Sequence, residues 1–559
     1  MIEFRPALLT SLKHYSRETF TADLMAGIIV GIVALPLAIA FGIASGVSPE
    51  KGIITAIIAG FLTSALGGSR VQIGGPTGAF IVIVYGIIQQ YGIEGLTVAT
   101  IMAGVFLILL GLFRLGTIIK FIPYPIVVGF TSGIAVTIFT TQIKDLFGLT
   151  TPEMPGDFAG KWIVYFQNFG TIDLWATAVG VISVAIIALT PRFSKKIPGS
   201  LIAIVVMTLA VYLLKRYAGI DSVETIGDRF TINSQLPDAV IPALSWEGMK
   251  GLLPAAITIA VLGAIESLLS ATVADGVTGD KHNSNQELMA QGIANVVTPL
   301  FGGIPATGAI ARTMTNINNG GRTPVAGIIH AVVLLLILVL FMPLAQYIPM
   351  ACLAGVLAVV AYNMSGWRTF RALLRNPRSD VAVLLLTFFL TVVFDLTIAI
   401  EVGLLIACVL FMKRVMETTE ISVIRDEIDP SAGLDMHLHE EPLAVPKGVE
   451  VYEINGPYFF GIATRFEELM AQIGDRPRVR IIRMRKVPFI DSTGIHNLTT
   501  LCEMSHRSKI TVVLSGVKDD VRAALERSGI YSLLGGENVC PDIHAALARA
   551  AELVAEPEK

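Results

Sequence analysis

The sequence predicts a helical protein that crosses a membrane many times and continues into a C-terminal α/β domain. Two observations lead to this prediction. Of the 559 residues, 53% are hydrophobic and only 15% are charged, whereas a soluble domain carries roughly 25% charged residues. The shortage of charge is confined to residues 24–414, a succession of apolar runs, and charged residues return at ordinary density beyond it. The mean hydropathy of +0.70 therefore averages two unlike regions.

Fourteen apolar segments follow one another in the first region. A helix needs about 20 apolar residues to cross the hydrocarbon core with its backbone groups bonded internally. The third, ninth, tenth and twelfth segments are too short or too rich in glycine to be ordinary spans. The predicted segments are 24–46, 52–68, 72–90, 96–115, 120–143, 173–190, 199–215, 250–273, 285–300, 306–318, 324–342, 350–364, 379–395 and 396–414.

Basic residues indicate how the segments are oriented. They follow the even-numbered segments, whereas the long loop after the seventh segment is acidic; the exceptions are Lys215 and Arg216, at a helix end from which their side chains can extend to the interface. The basic residues are Arg70, Arg114, Lys120, Arg192, Lys195, Lys196, Lys281, Arg322, Arg368, Arg371, Arg375, Arg378, Lys413 and Arg414. Because Lys and Arg are enriched in cytoplasmic loops, this pattern predicts that both termini are cytoplasmic. Residues 1–23 then form a short cytoplasmic segment.

A short repeat divides the fourteen segments into two halves. GGPTGAF at 74–80 and GGIPATGAI at 302–310 share Thr-Gly-Ala, beginning at Thr77 and at Thr307. The offset of 230 residues separates seven segments from seven. An odd number of spans per half forces the halves into opposite orientations, which is the inverted-repeat plan of secondary transporters.

Glycine and proline interrupt the helix pattern in both copies of the repeat. Proline removes a backbone donor and glycine weakens a helix interior, so the chain should enter the membrane extended and begin a short helix near Thr77 and near Thr307. Two helix N-termini facing each other would offer N–H groups and positive dipole ends to an anion. The alternative is that these residues only kink or closely pack ordinary spans. The candidate anion-binding residues at the two starts are Thr77, Gly78, Ala79, Gly308 and Ala309.

Two ionisable residues lie at membrane depth. Arg312, just inside the second short helix, could supply charge to an anion, or pair with an acid such as Glu266, or extend toward the cytoplasm. Glu266 is the only acid between residues 251 and 274. Among apolar residues, and within reach of the half-helix at Thr307, its carboxyl could bind and release a proton near neutral pH. The alternatives are a permanently protonated or ion-paired structural acid, or a Na⁺ ligand helped by Ser270 or Thr307.

The C-terminal region, 441–559, alternates strand and helix patterns, which predicts an α/β domain with a sheet covered by helices. The charged stretch 415–440 is interpreted as a linker. The predicted strands are 448–454, 479–485 and 510–516, and the predicted helices are 463–473, 492–507, 518–534 and 542–556.

The segment PFIDSTGIHNL at 488–498 joins a strand to a helix. Ser492 is a candidate N-cap for that helix. The other interpretation gives Asp491 and Ser492 a regulatory role or a role in docking a cytoplasmic protein partner.

The sequence lacks the patterns of several other classes of protein. The cysteines have no CxxC spacing, and no catalytic triad, phosphate-binding loop, metal-ligand spacing or basic tract is present; the four cysteines are Cys352, Cys408, Cys502 and Cys540. We therefore expect no disulfide framework, metal site, cofactor, nucleic-acid partner or enzymatic activity.

Several stretches together resemble one family. ADLMAGIIVGIVALPLAIAFGIASG, GGPTGAF, IESLL and FGGIPATGAIARTMTNINNGG resemble the sulfate permease family of anion transporters. PFIDSTGIHNL resembles the core of the STAS domain that this family carries after its last span. The resemblance covers residues from about 20 to 555. It implies two inverted seven-helix repeats, divided into a core domain (segments 1–4 and 8–11) and a gate domain (segments 5–7 and 12–14).

The resemblance also implies a site and a mechanism. Phe41 would line the anion site from the first span, Thr77 would lie at the first half-helix, and Ala311 and Arg312 at the second. Several relatives have a polar residue where this chain has Leu37, and a serine where it has Ala311. Such transporters typically work as homodimers through an elevator-like movement of the core domain.

The most similar group is that of bacterial proton-linked carriers of C4-dicarboxylates such as succinate or fumarate, in which the acid at the position of Glu266 is Glu; a sodium-coupled bicarbonate branch has Asp. The sequence therefore predicts a proton-coupled dicarboxylate symporter of the bacterial inner membrane. The alternatives are an uncoupled anion channel or exchanger, a bicarbonate or sulfate transporter, and a membrane-anchored anion sensor that signals through its STAS domain.

Overall fold

The computed structural model describes residues 5–555, except the ranges named at the end of this paragraph. The chain forms two compact units, Met1–Ile406 and Ala407–Lys559. The predicted helix at 463–473 lies outside the described residues. The ranges not described are 117–122, 153, 156, 194–197, 233–234, 236, 243–245, 395, 425–426, 429–442 and 461–476.

The first unit consists of helices and one pair of very short strands, β1 (Gly74–Gly75) and β2 (Thr307–Gly308). Within the described ranges, nine helices are long and apolar enough to cross a membrane. The helices are α1 (Ala7–Ser11), α2 (Arg17–Ala44), α3 (Pro49–Leu66), α4 (Phe80–Leu112), α5 (Tyr124–Phe147), α6 (Phe158–Gln167), α7 (Leu174–Phe193), α8 (Gly199–Leu213), α9 (Ile226–Arg229), α10 (Trp246–Thr278), α11 (Ser284–Val297), α12 (Ile310–Asn318), α13 (Pro324–Ala345), α14 (Met350–Met364), α15 (Trp367–Leu373), α16 (Arg378–Val393) and α17 (Leu396–Thr418).

The predicted segments correspond to these helices, and the third and fourth segments are the two parts of α4. The two parts meet at Gly92, whose φ of 71° lies in the left-handed region. Side chains resist that conformation and glycine does not, so the helix breaks there. Residues 80–91 of α4 are therefore a short helix of their own, which we call the first half-helix. Helix α12, of nine residues, is the second half-helix.

The helices of the first unit pack in two groups. In the first group, α4 packs against α10 and α11, and α13 packs against α2 and α3. In the second group, α5 packs against α14 and α16, and α7 packs against α8 and α14. Segments 1–4 and 8–11 thus pack together, which is the predicted core domain. The second group is the predicted gate domain.

The C-terminal unit contains a five-stranded sheet in the order β3–β6–β7–β8–β9, with β6 to β9 parallel and β3 antiparallel to β6. Two further short strands, β4 and β5, pair with each other. The strands are β3 (Glu420–Ile424), β4 (Glu427–Ile428), β5 (Leu443–Ala444), β6 (Val449–Asn455), β7 (Val479–Arg483), β8 (Thr511–Ser515) and β9 (Val539–Cys540).

Helices cover both faces of this sheet because alternate strand residues are apolar on each face. Tyr452 and Ile454 of β6 belong to one buried cluster, and Val449 and Val451 belong to another. The first cluster includes residues of three helices, α18 (Ser492–Arg507), α19 (Asp519–Ser528) and α20 (Ile530–Leu534), and the second includes residues of α21 (Ile543–Ala555). The helix predicted over 518–534 is divided at Gly529, whose φ is 78°.

Strand β3 lies within the stretch interpreted as a linker. It pairs with β6 over five positions, from Glu420 opposite Asn455 to Ile424 opposite Val451. The sequence of β3, EISVI, alternates polar and apolar residues, but charged residues surround it and hide the alternation. The pairing that makes it a strand is with residues about 30 positions further on, which local pattern does not reveal.

The C-terminal unit supports a prediction about autonomous folding. We expect residues 440–559 to fold without the membrane helices, because the sheet carries its own two buried clusters. A fragment beginning at 419 should be more stable by about 1–3 kcal/mol, since β3 pairs the edge of β6 and adds Ile421 and Val423 to the apolar contacts. Urea unfolding of the two purified fragments measures both. A fragment without a cooperative transition contradicts the first statement, and equal midpoints contradict the second.

Candidate anion-binding site

The two interrupted segments meet in the middle of the core domain. Gly74 of β1 lies opposite Gly308 of β2, and Gly75 lies opposite Thr307, in antiparallel pairing. The N–H of Ala309 also donates to the carbonyl of Ile73, with N and O 2.9 Å apart. We call this paired stretch the crossing. It confirms that the chain is extended at both places.

Both half-helices begin just after the crossing, at Phe80 and at Ile310. These starts are 230 residues apart, the offset of the sequence repeat. They lie three residues beyond Thr77 and Thr307, because the threonines belong to the extended or turning chain that precedes each helix. The repeat therefore fixes the same helix start in both halves, while the paired strand residues themselves are not at equivalent positions.

The first turns of the half-helices have no side-chain caps. Their N-cap residues are Ala79 and Ala309, and neither makes a side-chain capping hydrogen bond. In the second half-helix the first regular bond joins the N–H of Thr313 to the carbonyl of Ala309, 2.9 Å apart, so the N–H groups of residues 310–312 precede the helical ladder. Ile310 is 44% exposed and Ala311 is also exposed. Uncapped N–H groups at an open helix start are donors suited to an anion.

The first half-helix starts differently. The N–H groups of Phe80 and Ile81 donate to the carbonyls of Thr77 and Gly78, at 3.3 and 3.1 Å, in a tight turn. A Cβ atom on Gly78 would lie 2.8 Å from Sδ of Met364 in the gate domain. Gly78 is thus one point at which the gate packs on the half-helix, and a larger residue there would require the side chain of Met364 to shift.

One turn of helix α10 accepts hydrogen bonds from both extended segments of the crossing. The hydroxyl of Thr77 donates to Oε2 of Glu266 at 2.8 Å, and both residues are half-buried. The hydroxyl of Thr307 donates to the carbonyl of Gly263 at 2.7 Å. The carboxyl of Glu266 thus bonds to the threonine of the first repeat, while Thr307 of the second repeat bonds to the backbone of the same helix one turn earlier. Ser270, the other residue suggested for a Na⁺ site, lies 3.3 Å from the hydroxyl of Thr313.

Arg312 binds the backbone of the first extended segment and not an acidic side chain. Arg312 is only 2% exposed, and its guanidinium donates to the carbonyls of Gly74, at 3.3 Å, and Pro76. A Cβ atom on Gly75 would lie only 2.1 Å from Nη1 of Arg312, and the φ of Gly75 is 147°. Among the residues that the structure describes, no carboxylate forms an ion pair with Arg312, so the alternative of a pair with Glu266 is not realised. Its positive charge lies at the crossing.

Phe41 and Ala79 are buried residues of the core domain. Phe41 is 5% exposed in α2, and Ala79 is fully buried at the start of the first half-helix. Leu37, one turn before Phe41, is half-buried. The structure thus brings Thr77, Glu266 and the two helix starts together at the crossing.

A buried polar network behind the crossing was not predicted from the sequence. Glu287 of α11 is fully buried and accepts hydrogen bonds from the N–H groups of Gly68 and Ser69 and from the amides of Gln72 and Gln291, all within 3.1 Å. A buried carboxylate with four donors is satisfied without a cation. Glu287 therefore fixes the approach to β1.

The same helix fixes the approach to β2. Oδ1 of Asn295 accepts from the N–H of Ala306 at 2.9 Å, and its Nδ2 donates to the carbonyl of Ala306 at 2.8 Å. The sequence carried a signal for this network: Glu287, Gln291 and Asn295 are spaced four residues apart, so they share one face of a helix in an otherwise apolar segment.

The predicted site in the C-terminal unit is a helix cap. Asp491, not Ser492, is the N-cap of α18: its Oδ1 accepts from the N–H of Gly494 at 2.7 Å, and its Oδ2 accepts from the N–H of Phe460 at 3.2 Å. The capping role expected of Ser492 is therefore wrong by one residue. The side chain of Ser492 is exposed. A regulatory role for the pair stays a prediction.

These features define a class: a helical membrane transporter with two half-helices that meet at a crossing, followed by an α/β domain. Residues 20–387 match the Sulfate permease family, and residues 442–546 match the STAS domain. The chain belongs to the sulfate permease family.

Similar proteins span almost the whole chain. The candidate sulfate transporter YvdB of Bacillus subtilis (strain 168) is 43% identical, over 94% of this chain and 97% of that protein. The bicarbonate transporter BicA of Picosynechococcus sp. is 30% identical, over 91% of each.

Solved structures share the fold. The transmembrane domain of a cyanobacterial bicarbonate transporter BicA superposes with a TM-score of 0.62 at 30% identity, covering 70% of this chain and 98% of that one. Murine Solute Carrier 26 family member A9, an anion transporter in the inward-facing state, superposes with a TM-score of 0.86 at 19% identity, covering 98% of this chain and 94% of that one. The predicted membrane fold and STAS domain are confirmed.

Proposed function

We propose that this chain is a proton-coupled symporter that carries small anions, dicarboxylates such as succinate among them, across the bacterial inner membrane. The observation that carries the proposal is the crossing, where two helix N-termini without side-chain caps meet beside Arg312 and the Thr77–Glu266 pair. Transport by relatives named for sulfate and bicarbonate supports anions as the substrate class.

The anion would bind at the open start of the second half-helix. The N–H groups of Ile310 and Ala311 are the donors, and the candidate lining residues from both repeats are Phe41, Thr77, Gly78, Ala79, Gly308, Ala309, Ala311 and Arg312. The donors are backbone groups, so they recognise a carboxylate, sulfate or bicarbonate oxygen equally. Arg312 acts indirectly on the anion: its guanidinium binds the carbonyls of Gly74 and Pro76 and contributes positive charge.

Glu266 would couple the anion to a proton through Thr77. When the carboxyl of Glu266 is ionised, it occupies the Thr77 hydroxyl and places a negative charge beside the site. A bound anion disfavours that charge. Protonation of Glu266 removes the repulsion and leaves the hydroxyl of Thr77 available to the anion, so proton and anion each promote the binding of the other.

Movement of the core domain against the gate would carry the loaded site across the membrane. Gly78 is a contact between the domains, because it packs against Met364, and this contact has to slide. When Glu266 is protonated, its carboxyl is neutral. Moving a neutral carboxyl through apolar surroundings costs less free energy than moving an ionised carboxylate. Cytoplasmic termini, homodimer formation and a cytoplasmic partner of the STAS domain stay predictions.

A sulfate or bicarbonate transporter is the second candidate, favoured by the 43% identity to YvdB and the 30% identity to BicA. An uncoupled exchanger would use the same site without a proton. A membrane-anchored sensor would bind an anion and move none.

Counterflow separates these candidates. Proteoliposomes loaded with unlabelled anion should take up the same labelled anion only if the protein carries it, and we expect uptake with succinate. Labelled sulfate and bicarbonate are run beside it, with empty liposomes as the control. Uptake of sulfate or bicarbonate alone would replace the substrate assignment, and binding without uptake of any of the three would support the sensor.

A further inference from the structure

Four arginines that the site at the crossing does not use lie close together on the gate domain. They fall within eleven residues of chain, on helix α15, in the turn that follows it and at the start of α16. All four residues are exposed, and no acidic residue occurs between residues 364 and 379. The arginines are Arg368, Arg371, Arg375 and Arg378. They therefore form a concentrated patch of positive charge.

The charge of this patch is not compensated within the described part of the chain. Among the described residues, no carboxylate forms an ion pair with any of the four arginines. Asp380, the nearest acid in the sequence, accepts a hydrogen bond from the hydroxyl of Ser379 at 3.2 Å. The guanidinium carbon of Arg368 lies 5.7 Å from the centre of the Trp367 ring, a contact that attracts the cation but does not neutralise it. An anionic group from outside the chain would balance the patch.

The arginines lie at one end of the membrane unit. Helix α15 packs against α5 and α16 of the gate domain, and the ring centres of Phe370 and Phe388 are 5.3 Å apart. Phe388 is ten residues beyond Arg378, the first residue of α16, or about 15 Å along the helix axis. Helix α15 therefore runs back alongside α16, and residues 374–377 are the turn of a helical hairpin. We call residues 367–378 the arginine hairpin. The basic-residue pattern predicts that its turn lies at the cytoplasmic surface.

Exposed aromatic and apolar side chains accompany the arginines. Tyr362 is 61% exposed, Trp367 44% and Leu374 42%, and Nε1 of Trp367 donates to the hydroxyl of Tyr362 at 3.1 Å. Tryptophan and tyrosine are enriched where a membrane meets water, because their rings are apolar and their polar atoms can remain hydrated. A small anion in solution would bind the arginines alone. A phospholipid would bind both kinds of side chain, its phosphate to the guanidinium groups and its glycerol and acyl chains to the apolar ones.

We propose that the arginine hairpin binds anionic phospholipids of the adjacent leaflet and thereby anchors the gate domain. A guanidinium group can bind two phosphate oxygens at once, and arginine side chains are long enough to reach the membrane surface from a turn or two inside it. Basic clusters beside a membrane span attract anionic lipids. Because α15 packs on gate helices, bound lipid would hold the gate domain while the core domain moves, so the transport rate would depend on anionic lipid. This consequence rests on the transport proposed above, whereas the binding itself does not.

Binding of a fluorescent phosphatidylglycerol to the purified chain in mixed micelles, measured by fluorescence anisotropy, tests the lipid site. Unlabelled phosphatidylglycerol should compete for binding, and neutral phosphatidylcholine should not. A variant that combines Arg368→Gln, Arg371→Gln and Arg375→Gln should have an apparent Kd roughly a hundredfold higher, because each basic residue at an anionic surface contributes a factor of about five. The corresponding triple lysine variant keeps the charge and should recover most of the affinity.

The matched control removes three positive charges from exposed positions of the C-terminal unit, by Lys447→Gln, Arg507→Gln and Lys518→Gln. It should bind the lipid as the wild type does. An unchanged Kd in the triple arginine-to-glutamine variant, or an equal loss of affinity in the control, would overturn the proposal. Thermal unfolding without lipid supplies a further check. The arginine-to-glutamine variant should unfold at no lower temperature than the wild type, and a lower midpoint would show that the arginines pair within the protein instead.

Transport measurements separate the anchoring role from the proposed function. Proteoliposomes of phosphatidylcholine, with or without phosphatidylglycerol, are given labelled sulfate, bicarbonate or succinate, whichever the wild type carries. We expect phosphatidylglycerol to raise the maximal rate of the wild type severalfold and to leave the rate of the arginine-to-glutamine variant unchanged. Equal wild-type rates in both kinds of vesicle would refute the anchoring role. A chain that binds phosphatidylglycerol through these arginines but carries none of the three anions would support the lipid site and refute the transport function.

Discussion

Replacing Arg312 by alanine is expected to raise the apparent Kd for the transported anion by about tenfold to a hundredfold. Hydrogen bonds to a charged group contribute about 1.5–3 kcal/mol, and 1.4 kcal/mol corresponds to a factor of ten in Kd. In this structure the effect has two sources. The variant loses a positive charge at the crossing, and it releases the carbonyls of Gly74 and Pro76 that hold the first extended segment in place.

Arg312→Lys separates the two sources. Lysine keeps the positive charge but lacks the planar fork that reaches two carbonyls, so it should recover part of the affinity if charge matters directly. Equilibrium binding of labelled anion to detergent-purified protein gives the Kd, and gel filtration shows whether the variant is intact. The matched control is Arg322→Ala at the other end of the second half-helix, where an exposed guanidinium donates to the carbonyls of Ile317 and Gly321. Unchanged affinity in a well-folded Arg312→Ala protein would exclude Arg312 from the site.

The half-helices could be predicted from sequence because glycine and proline act on the backbone locally. Gly74, Gly75 and Pro76 together disfavour a continuous helix, and the repeat at Thr307 gave the second copy. The same holds for the break at Gly92, which lies between two predicted segments. Such features need no knowledge of the tertiary structure.

The partners of individual side chains could not be predicted in the same way. Glu266 and Thr307 are both near the crossing, yet the partner of the carboxyl depends on how α10 is oriented about its axis, and the structure has Thr77. Arg312 illustrates the same limit, since its partners are backbone carbonyls that carry no sequence signal. Strand β3 was missed because its pairing is non-local.

The largest functional effect is expected from Glu266→Gln. Glutamine resembles the protonated carboxyl in shape and charge, so it places no negative charge beside the site. The variant should therefore bind anion and exchange it across the membrane. It should lose net accumulation driven by an inward proton gradient, because no proton is bound on one side and released on the other. A difference of about 2.5 pH units supplies about 3.4 kcal/mol per proton, enough in the wild type for roughly 300-fold accumulation at one proton per anion and zero membrane potential.

Uptake into proteoliposomes at an outside pH of about 5 and an inside pH of about 7.5, compared with about 7.5 on both sides, measures this coupling. Counterflow in the same preparation shows that the variant still moves anion, so that a misfolded protein is not mistaken for an uncoupled one. Glu287→Gln is the matched control, because Glu287 is a second buried carboxyl of the core domain. Its hydrogen bonds come from neutral donors, three of which belong to the chain before β1. In Glu287→Gln a single side-chain oxygen would have to accept the hydrogen bonds that two oxygens accept in the wild type, so we expect less folded protein. The protein that does fold should keep the wild-type response to the proton gradient. If Glu266→Gln instead keeps the wild-type response, the proton is carried elsewhere and the hydrogen bond to Thr77 is structural.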